Sequence, residues 1–81
     1  VCLAPLTNLQ SEDDGALSDD ERRWLERRAE GGFGLVETCA AHVSADGKGF
    51  DGQLGIWSDH HLPGLRALAG GLARAGALGV V

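Results

Sequence analysis

Tyrosine is absent from this chain of 81 residues, and its aromatic residues are limited to two Trp and two Phe. Glycine, by contrast, occupies 13 positions. A chain of this length can form one small domain. Few aromatic residues and many glycines predict tight connections between elements rather than a large aromatic core. The hydrophobic content of 43% and the charged content of 23% are typical of a globular rather than a disordered chain.

Positive charge is also scarce. Seven Lys and Arg stand against twelve Asp and Glu, which gives a formal net charge of -5. Nucleic acids and anionic membrane surfaces are bound through clusters of Lys and Arg. The arginines that are present concentrate between Arg22 and Arg28, beside acidic residues, and we interpret them as a solvated helix face. We therefore expect neither a nucleic acid nor a membrane as a partner.

Only two cysteines occur, Cys2 and Cys39, in separate apolar runs. They predict two buried free thiols and a reducing, cytoplasmic location. No apolar run approaches the roughly 18 residues of a membrane-spanning helix, and no charged region with a cleavage pattern opens the chain. The chain has no Met and both of its ends fall within apolar runs, so we expect it to be a piece of a longer protein.

Three apolar segments predict strands: Val1–Leu3, Phe33–Val43 and Ala77–Val81. The central segment carries apolar side chains on both faces, which is typical of a strand in a parallel sheet. Glu37 interrupts it with a carboxylate, which must have a partner or face a polar cavity because burial of an unpaired charge is costly. The segment Gln53–Trp57 predicts an irregular apolar connection.

Two helices separate these strands. Ser18 and Glu21 have the spacing of a capping box, so a helix is predicted from there to about Glu30. Pairing of Asp19 with Arg23, and of Arg22 with Glu26, would support this helix modestly. Pro63 places the start of a second helix, since proline is tolerated only in the first turn, and Gly76 ends it.

The second helix has one apolar face with a spacing of three and four residues. Gly70 and Gly71 weaken this helix by about 1 kcal/mol each relative to alanine. We interpret the pair as a point where a neighbouring element packs very close. The predicted apolar face comprises Leu62, Leu65, Leu68, Ala69 and Leu72.

The order strand, helix, strand, helix, strand predicts an α/β fold with two right-handed βαβ units and parallel strands. The loops that follow the strands then share the carboxyl edge of the sheet, where parallel α/β folds carry their binding sites. The segment Ala4-Pro5-Leu6-Thr7 leaves the first strand at this edge. It is either a plain strand-terminating proline, which the spacing favours, or a set of amides and a Thr hydroxyl directed at a polar planar ligand.

No metal site is predicted. His42, His60 and His61 fit no closed zinc pattern with Cys39, and surface or capping roles are expected for them. A Ser/His/Asp hydrolase is disfavoured because no Gly-x-Ser-x-Gly elbow is present. Gly31–Gly34 precedes a strand rather than linking a strand to a helix, so it is no dinucleotide fingerprint.

Four segments taken together resemble the old yellow enzyme family of FMN-dependent NAD(P)H:flavin oxidoreductases. The family fold is a (β/α)8 TIM barrel, and a complete barrel needs about 250 residues. The resemblance implies that residues 1–81 form an incomplete N-terminal part, strands 1 to 3, of one FMN-binding barrel domain. The segments are Ala4–Thr7, Arg28–Val36, Val43–Gly49 and Leu54–Asp59.

The resemblance also implies cofactor contacts. Ala4, Pro5, Leu6 and Thr7 match the family segment that lies along the flavin, and Thr7 matches the position whose Thr or Cys side chain hydrogen-bonds the ring near O4. Thr38 matches a position, usually Gly or Ala, whose backbone contacts the pyrimidine side of the flavin; Thr is a departure from that pattern. The family's catalytic residues would lie beyond residue 81, so no catalytic residue is expected in this stretch.

The implied activity is hydride transfer from NAD(P)H through FMN to an activated alkene such as an enone, with the cofactor carrying the redox chemistry. The fragment alone would be inactive. Two alternatives stay open. The chain could be a small non-catalytic α/β module that binds no flavin, or part of a related barrel of the dienoyl-CoA reductase or amine dehydrogenase type.

Overall fold

Five short strands and two helices build the protein, and the computed structural model describes all 81 residues. Two single-turn 3-10 segments, Ala45–Gly47 and Asp59–His61, lie in the connections. The elements in chain order are β1 (Cys2–Leu3), α1 (Asp19–Glu30), β2 (Leu35–Glu37), β3 (Ala41–His42), β4 (Leu54–Gly55), α2 (Leu62–Arg74) and β5 (Leu78–Val80).

The main sheet has the strand order β1-β2-β5, and both pairings are parallel. Leu35 in the central strand lies between Cys2 on one side and Leu78 on the other. Helix α1 connects β1 to β2 and helix α2 lies before β5, as two βαβ units require. The predicted α/β class, with the order β-α-β-α-β and parallel strands, is confirmed.

The prediction of one continuous strand over Phe33–Val43 is wrong. β2 ends at Glu37, and the chain resumes extended pairing only at Ala41, where β3 pairs in parallel with β4 in a separate two-stranded ladder. The prediction of an irregular segment at Gln53–Trp57 is also wrong, because this segment contains β4, the partner of β3. Between β2 and β3, Thr38 still donates from its amide to the carbonyl of Val80, whereas the thiol of the next residue, Cys39, hydrogen-bonds Glu21 in the interior.

Helix α1 begins as predicted. The Ser18 hydroxyl accepts a hydrogen bond from the Glu21 amide at 3.1 Å, and the helix runs to Glu30. The reciprocal half of the capping box is wrong, because the Glu21 side chain turns into the interior instead of back to Ser18. The expected support from Arg22 and Glu26 is present at 3.1 Å.

The other expected ion pair on this helix, Asp19 with Arg23, is wrong by one position. Arg23 contacts Asp20 at 2.8 Å, and Asp19 lies 3.7 Å from Arg22, so both pairs have three-residue spacing. Asp19, Asp20 and Arg23 are exposed and Arg22 is half-buried, so these pairs contribute little to stability.

Helix α2 packs on α1 through Gly71. A Cβ built on Gly71 would overlap the carboxylate of Glu26, so the two helices meet where α2 has no side chain. The predicted close approach is thus confirmed for Gly71, whereas Gly70 faces only the flexible end of Arg74. Of the five residues predicted for the apolar face, Leu68 and Leu72 are buried, Leu65 is half-buried, and the other two are exposed.

The core lies between the two helices and the main sheet. It comprises Leu25, Ala29, Val36, Leu68, Leu72 and Ala77. The half-buried side chains of Leu3, Leu17, Trp24, Phe33 and Ala75 pack around this core.

β5 is an exposed edge strand, bordered by an apolar groove that it forms with α2. Neither helix combines the length and the apolar content that crossing a membrane would require.

Candidate functional site

An open cavity of about 520 Å³ lies at the carboxyl edge of the main sheet. Its volume is in the range of small-molecule and cofactor sites, roughly 300–1,000 Å³. The walls come from the segments that leave β1 and β2, from β3, and from residues just past β4 and β5. The lining residues are Pro5, Thr7, Glu37, Thr38, Cys39, Ala40, Ala41, Val43, Ile56 and Val81.

The segment after β1 contributes Pro5 and Thr7 to this cavity, while Ala4 and Leu6 are exposed and do not line it. This alternation is that of an extended segment, in which successive side chains face opposite sides. Thr7 is exposed, so its hydroxyl is available to a ligand. Of the four residues predicted here, the structure therefore directs two into the cavity.

Thr38 follows β2 and is 4% exposed. Its amide donates to the carbonyl of Val80 at 2.9 Å and its hydroxyl to the carbonyl of Cys39 at 3.0 Å. Both donor groups of Thr38 are therefore engaged inside the protein. A contact from Thr38 to a ligand has to come from its carbonyl or its methyl group.

Glu37 is the carboxylate that the sequence placed in the middle of a strand. It lies at the end of β2 and lines the cavity, and its nearest polar partner is the exposed thiol of Cys2, whose Sγ is 3.9 Å from Oε1. Glu37 was expected to have a partner or to face a polar cavity; it has the Cys2 thiol as a partner, and the cavity that it lines is mostly apolar. The expectation of two buried thiols is wrong for Cys2, because β1 is an edge strand and leaves that side chain exposed.

Seven polar residues are buried in this protein. Five of them follow a strand of the main sheet or start a helix, and in a βαβ unit both positions lie at the carboxyl edge of the sheet, whereas His42 lies in β3 and Gln53 precedes β4. Buried polar groups require hydrogen-bond partners, so these residues constrain the geometry of the loops around the cavity. The buried polar residues are Ser11, Ser18, Glu21, Thr38, His42, Gln53 and His61.

Cys39 connects the cavity wall to one of these buried polar residues. It is 5% exposed, and its thiol donates to Oε1 of Glu21 at 3.3 Å. Burial, followed by the negative charge of Glu21, raises the pKa of Cys39 to about 11. Because the thiolate is the nucleophilic form, Cys39 is not a candidate nucleophile.

His61 is another of the buried polar residues and is 2% exposed. Its Nε2–H donates to the carbonyl of Asp14 at 2.8 Å, and its Nδ1 accepts from the amide of Ser58 at 3.3 Å. The capping role predicted for it is confirmed. His60 is exposed, as predicted for a surface histidine.

The surface or capping role predicted for His42 is wrong, since His42 is 6% exposed and lies in β3. Its Nδ1–H donates to the Ser44 carbonyl at 2.8 Å, and its buried Nε2 has no hydrogen-bond partner. That nitrogen faces Gly55, where an added Cβ would lie 3.2 Å away. No three His, Cys, Asp or Glu side chains are arranged to hold a metal ion.

The sequence reasoning missed most of the cavity lining. Cys39, Ala40 and Ala41 follow the carboxyl end of β2, and their position after a predicted parallel strand was a usable signal. Ile56 gave no such signal, because β4 was not recognised as a strand.

The chain matches the model of the NADH:flavin oxidoreductase / NADH oxidase family over residues 1–81. It is 38% identical over 81 residues to the probable NADH-dependent flavin oxidoreductase YqiG of Bacillus subtilis, covering 100% of this chain and 22% of that protein. It is 36% identical over 69 residues to an NADPH dehydrogenase of Bacillus pumilus, covering 84% of this chain and 20% of that protein. The chain thus spans about a fifth of the length of these relatives.

Two solved structures share its fold. A complex of 2-naphthoyl-CoA reductase with 2-naphthoyl-CoA superimposes with a TM-score of 0.91 at 34% identity, covering 96% of this chain and 12% of that one. A variant of NCR from Zymomonas mobilis superimposes with a TM-score of 0.81 at 26% identity, covering 98% and 25%. These matches confirm the predicted fold class, part of a (β/α)8 barrel.

Three findings agree with one another. The family model matches all 81 residues, relatives are more than 30% identical, and the solved structures share the parallel β-α-β-α-β architecture. This chain belongs to the NADH:flavin oxidoreductase / NADH oxidase family.

Proposed function

We propose that these 81 residues form the N-terminal part, strands 1 to 3, of the single barrel domain of an FMN-dependent NAD(P)H oxidoreductase. β1, β2 and β5 are the three barrel strands in this proposal. The observation that carries it is the convergence of Pro5, Thr7 and Thr38 on one cavity, in a chain of a flavin oxidoreductase family.

The cavity suits the flavin that the family implies. Its lining combines small side chains, such as Ala40 and Ala41, with the available hydroxyl of Thr7, so a flat ring can approach the backbone and meet a polar group at one edge. In this proposal Thr7 hydrogen-bonds the ring, Pro5 packs against it with Ala4 and Leu6 shaping the segment, and Thr38 contributes its carbonyl. When bound, FMN would carry hydride between NAD(P)H and an activated alkene of the enone type.

The chain's own residues would bind and orient the ring and set its electrostatic surroundings. Glu37 is the only carboxylate in the cavity lining. A negative charge beside the ring would disfavour its anionic reduced form, and the Thr7 hydroxyl would favour it by donating a hydrogen bond. The catalytic residues would lie outside this chain. We further propose a cytoplasmic location, with no nucleic acid or membrane as a partner.

A second candidate is a reductase of a CoA thioester. The structural match to 2-naphthoyl-CoA reductase has the higher TM-score of the two, 0.91 against 0.81. The two candidates differ in substrate and share the flavin site. Steady-state assays of the full-length protein with a simple enone and with an unsaturated acyl-CoA separate them.

The experiment that tests the flavin site uses the full-length protein translated from the reading frame that contains these residues. We expect it to purify yellow, with FMN released on denaturation. Thr7→Ala should shift the flavin midpoint potential, because it removes a hydrogen bond to the ring. Ser44→Ala is the matched control, since Ser44 is exposed and outside the cavity lining. A colourless protein that does not take up added FMN would overturn the proposal and favour a non-catalytic module.

A further inference from the structure

Glu21 is a carboxylate with no exposed surface, and it lies in the first turn of α1. Its oxygens accept hydrogen bonds from two hydroxyl or thiol donors. One is the hydroxyl of Ser11, at a short distance, and the other is the thiol of Cys39 at 3.3 Å. Glu21 thereby joins two segments that are separated from it by 10 and 18 residues along the chain.

This arrangement is a costly way to fill an interior position. A buried carboxylate loses its hydration, and here no Lys, Arg or His lies within salt-bridge distance to offset that loss. An apolar side chain of similar volume would avoid the cost. Glu21 also forgoes the capping-box hydrogen bond that its spacing from Ser18 allows. In return, the carboxylate fixes the positions of Ser11 and Cys39.

One donor lies in a wall of the cavity, and the other lies in the loop that supplies another wall. Cys39 lines the cavity itself, between Thr38 and Ala40. Ser11 does not line the cavity, but it lies farther along the loop after β1, which carries Pro5 and Thr7. Its amide donates to the carbonyl of Gly52 at 3.1 Å.

The loop after β1 and the loop after β3 are therefore held at the same edge of the sheet. Close packing of Gly52 on Leu9 reinforces this contact, since a Cβ built on Gly52 would overlap the Leu9 backbone. Leu9 itself has a φ of 56°, a left-handed conformation that a leucine adopts only when its surroundings impose it.

We propose that Glu21 is a positioning residue for the cavity, which holds the segment after β1 and the segment after β2 at the separation that a bound flavin requires. That the ligand is a flavin rests on the proposed function. That Glu21 holds the two segments in place does not, because the Ser11–Glu21–Cys39 hydrogen bonds are present in the protein alone. Glu21 acts through these two residues and does not line the cavity.

The first test measures geometry without flavin. The full-length protein carries Cys2→Ser, so that Cys39 is the one thiol left among these 81 residues. The rate at which a small maleimide labels Cys39 is then compared between variants. Any cysteines elsewhere in the protein are identified by peptide mapping. The rates are compared as rate constants of the thiolate, corrected for the Cys39 pKa of each variant, since loss of the Glu21 charge also eases ionisation of this thiol. We expect Glu21→Gln to raise this rate constant at least about tenfold, because the Gln amide cannot accept from both donors. Glu30→Gln is the matched control on the same helix, at an exposed position, and should leave the rate unchanged.

The second test measures the flavin. Glu21→Gln should weaken FMN binding about tenfold and shift the midpoint potential, with Glu30→Gln unchanged. Cys39→Ser keeps a donor for Glu21 and should retain wild-type affinity, whereas Cys39→Ala should lose affinity as Glu21→Gln does. A packing role alone predicts the opposite order for the Cys39 variants, since alanine suits an apolar site better than serine.

Unchanged labelling and unchanged FMN affinity in a folded Glu21→Gln protein would overturn the inference, and so would equal affinities of the two Cys39 variants. If the wild-type protein binds no FMN, the proposed function fails. The labelling rates still decide in that case whether Glu21 holds the two segments in place.

Discussion

The carboxylate of Glu26 lies against the Cα of Gly71, at the point where α1 and α2 pack together. Glu26 is at the same time the partner of Arg22 at 3.1 Å, so its side chain is held over the glycine by an ion pair on its own helix. A glycine inside α2 is unfavourable for the helix. The contact explains its presence there, because any larger residue would displace Glu26.

The first prediction concerns this contact. Gly71→Ala should gain about 1 kcal/mol of helix propensity and lose about 1–3 kcal/mol through overpacking. We expect a net decrease of about 1 kcal/mol in the free energy of unfolding, measured by urea denaturation. Gly70→Ala is the matched control. Its Cβ would meet only the end of the Arg74 side chain at 3.3 Å, so it should stabilise the protein.

A double-mutant cycle sharpens this test. In a Glu26→Ala background the obstruction is gone, and Gly71→Ala should become stabilising, as Gly70→Ala is. Equal effects of Gly71→Ala with and without Glu26 would contradict the close contact.

The second prediction concerns His61. His61→Leu leaves the amide of Ser58 and the carbonyl of Asp14 without their partner. An unsatisfied buried polar group costs about 1–3 kcal/mol, and here both hydrogen bonds are part-buried, so we expect a loss of about 1–2 kcal/mol in the free energy of unfolding. His60→Leu carries the same substituent one position away, at an exposed site, and should change stability by less than about 0.5 kcal/mol. Similar losses for the two variants would refute the capping role.

The third prediction is a loss of stability at alkaline pH that depends on Cys39. Burial, and then the charge of Glu21, raises the pKa of this thiol from its ordinary value of 9.0, which applies when the chain is unfolded, to about 11 in the folded protein. The unfolded state therefore releases the proton first, and stability falls as the pH rises from about 9 to about 11. Within these 81 residues, the absence of tyrosine leaves few other groups that titrate between pH 9 and 11.

This pH dependence is checked by urea denaturation in a Cys2→Ser background, with and without Cys39→Ser. We expect the decline between pH 9 and 11 to be steeper when Cys39 is present. Parallel curves for the two proteins would show that the thiol ionises equally in the folded and unfolded states.

The fourth prediction concerns FMN and chain length. The 81 residues by themselves should hold no FMN, because the cavity is walled only by segments around β1 to β5 and cofactor sites bury roughly 70–90% of their ligand. Titration of FMN with the isolated 81 residues, followed by flavin fluorescence, should show no quenching, while the full-length protein should bind. Yellow protein after purification of the 81 residues would contradict this expectation.

Much of the architecture could be predicted from local signals. Ser18 caps α1, which runs to Glu30, and Gly76 with a φ of 82° follows the end of α2, as predicted. Such signals work because caps and turns depend on residues only a few positions apart. Prediction failed between Thr38 and Gly55, where β3 and β4 form an extra ladder.

The candidate site, too, was predicted only in part. Pro5 and Thr7 were assigned to the site through the family resemblance, whereas the spacing by itself favoured a plain strand-terminating proline, and both residues do line the cavity. The exposed position of Cys2, the burial of His42 and the inward turn of Glu21 were not found. Each depends on a group distant along the chain, such as Cys39 for Glu21.

The amino-acid sequence by itself determined the order of β1, α1, β2, α2 and β5 and their parallel pairing, since periodicity and caps are properties of short segments, and the resemblance of its motifs gave the family. Only the tertiary structure decided which side chains meet at the cavity and beneath it. The physical reason is that a buried polar group such as Glu21 takes its partners from whatever the fold brings within hydrogen-bond distance, and that distance is independent of separation along the chain.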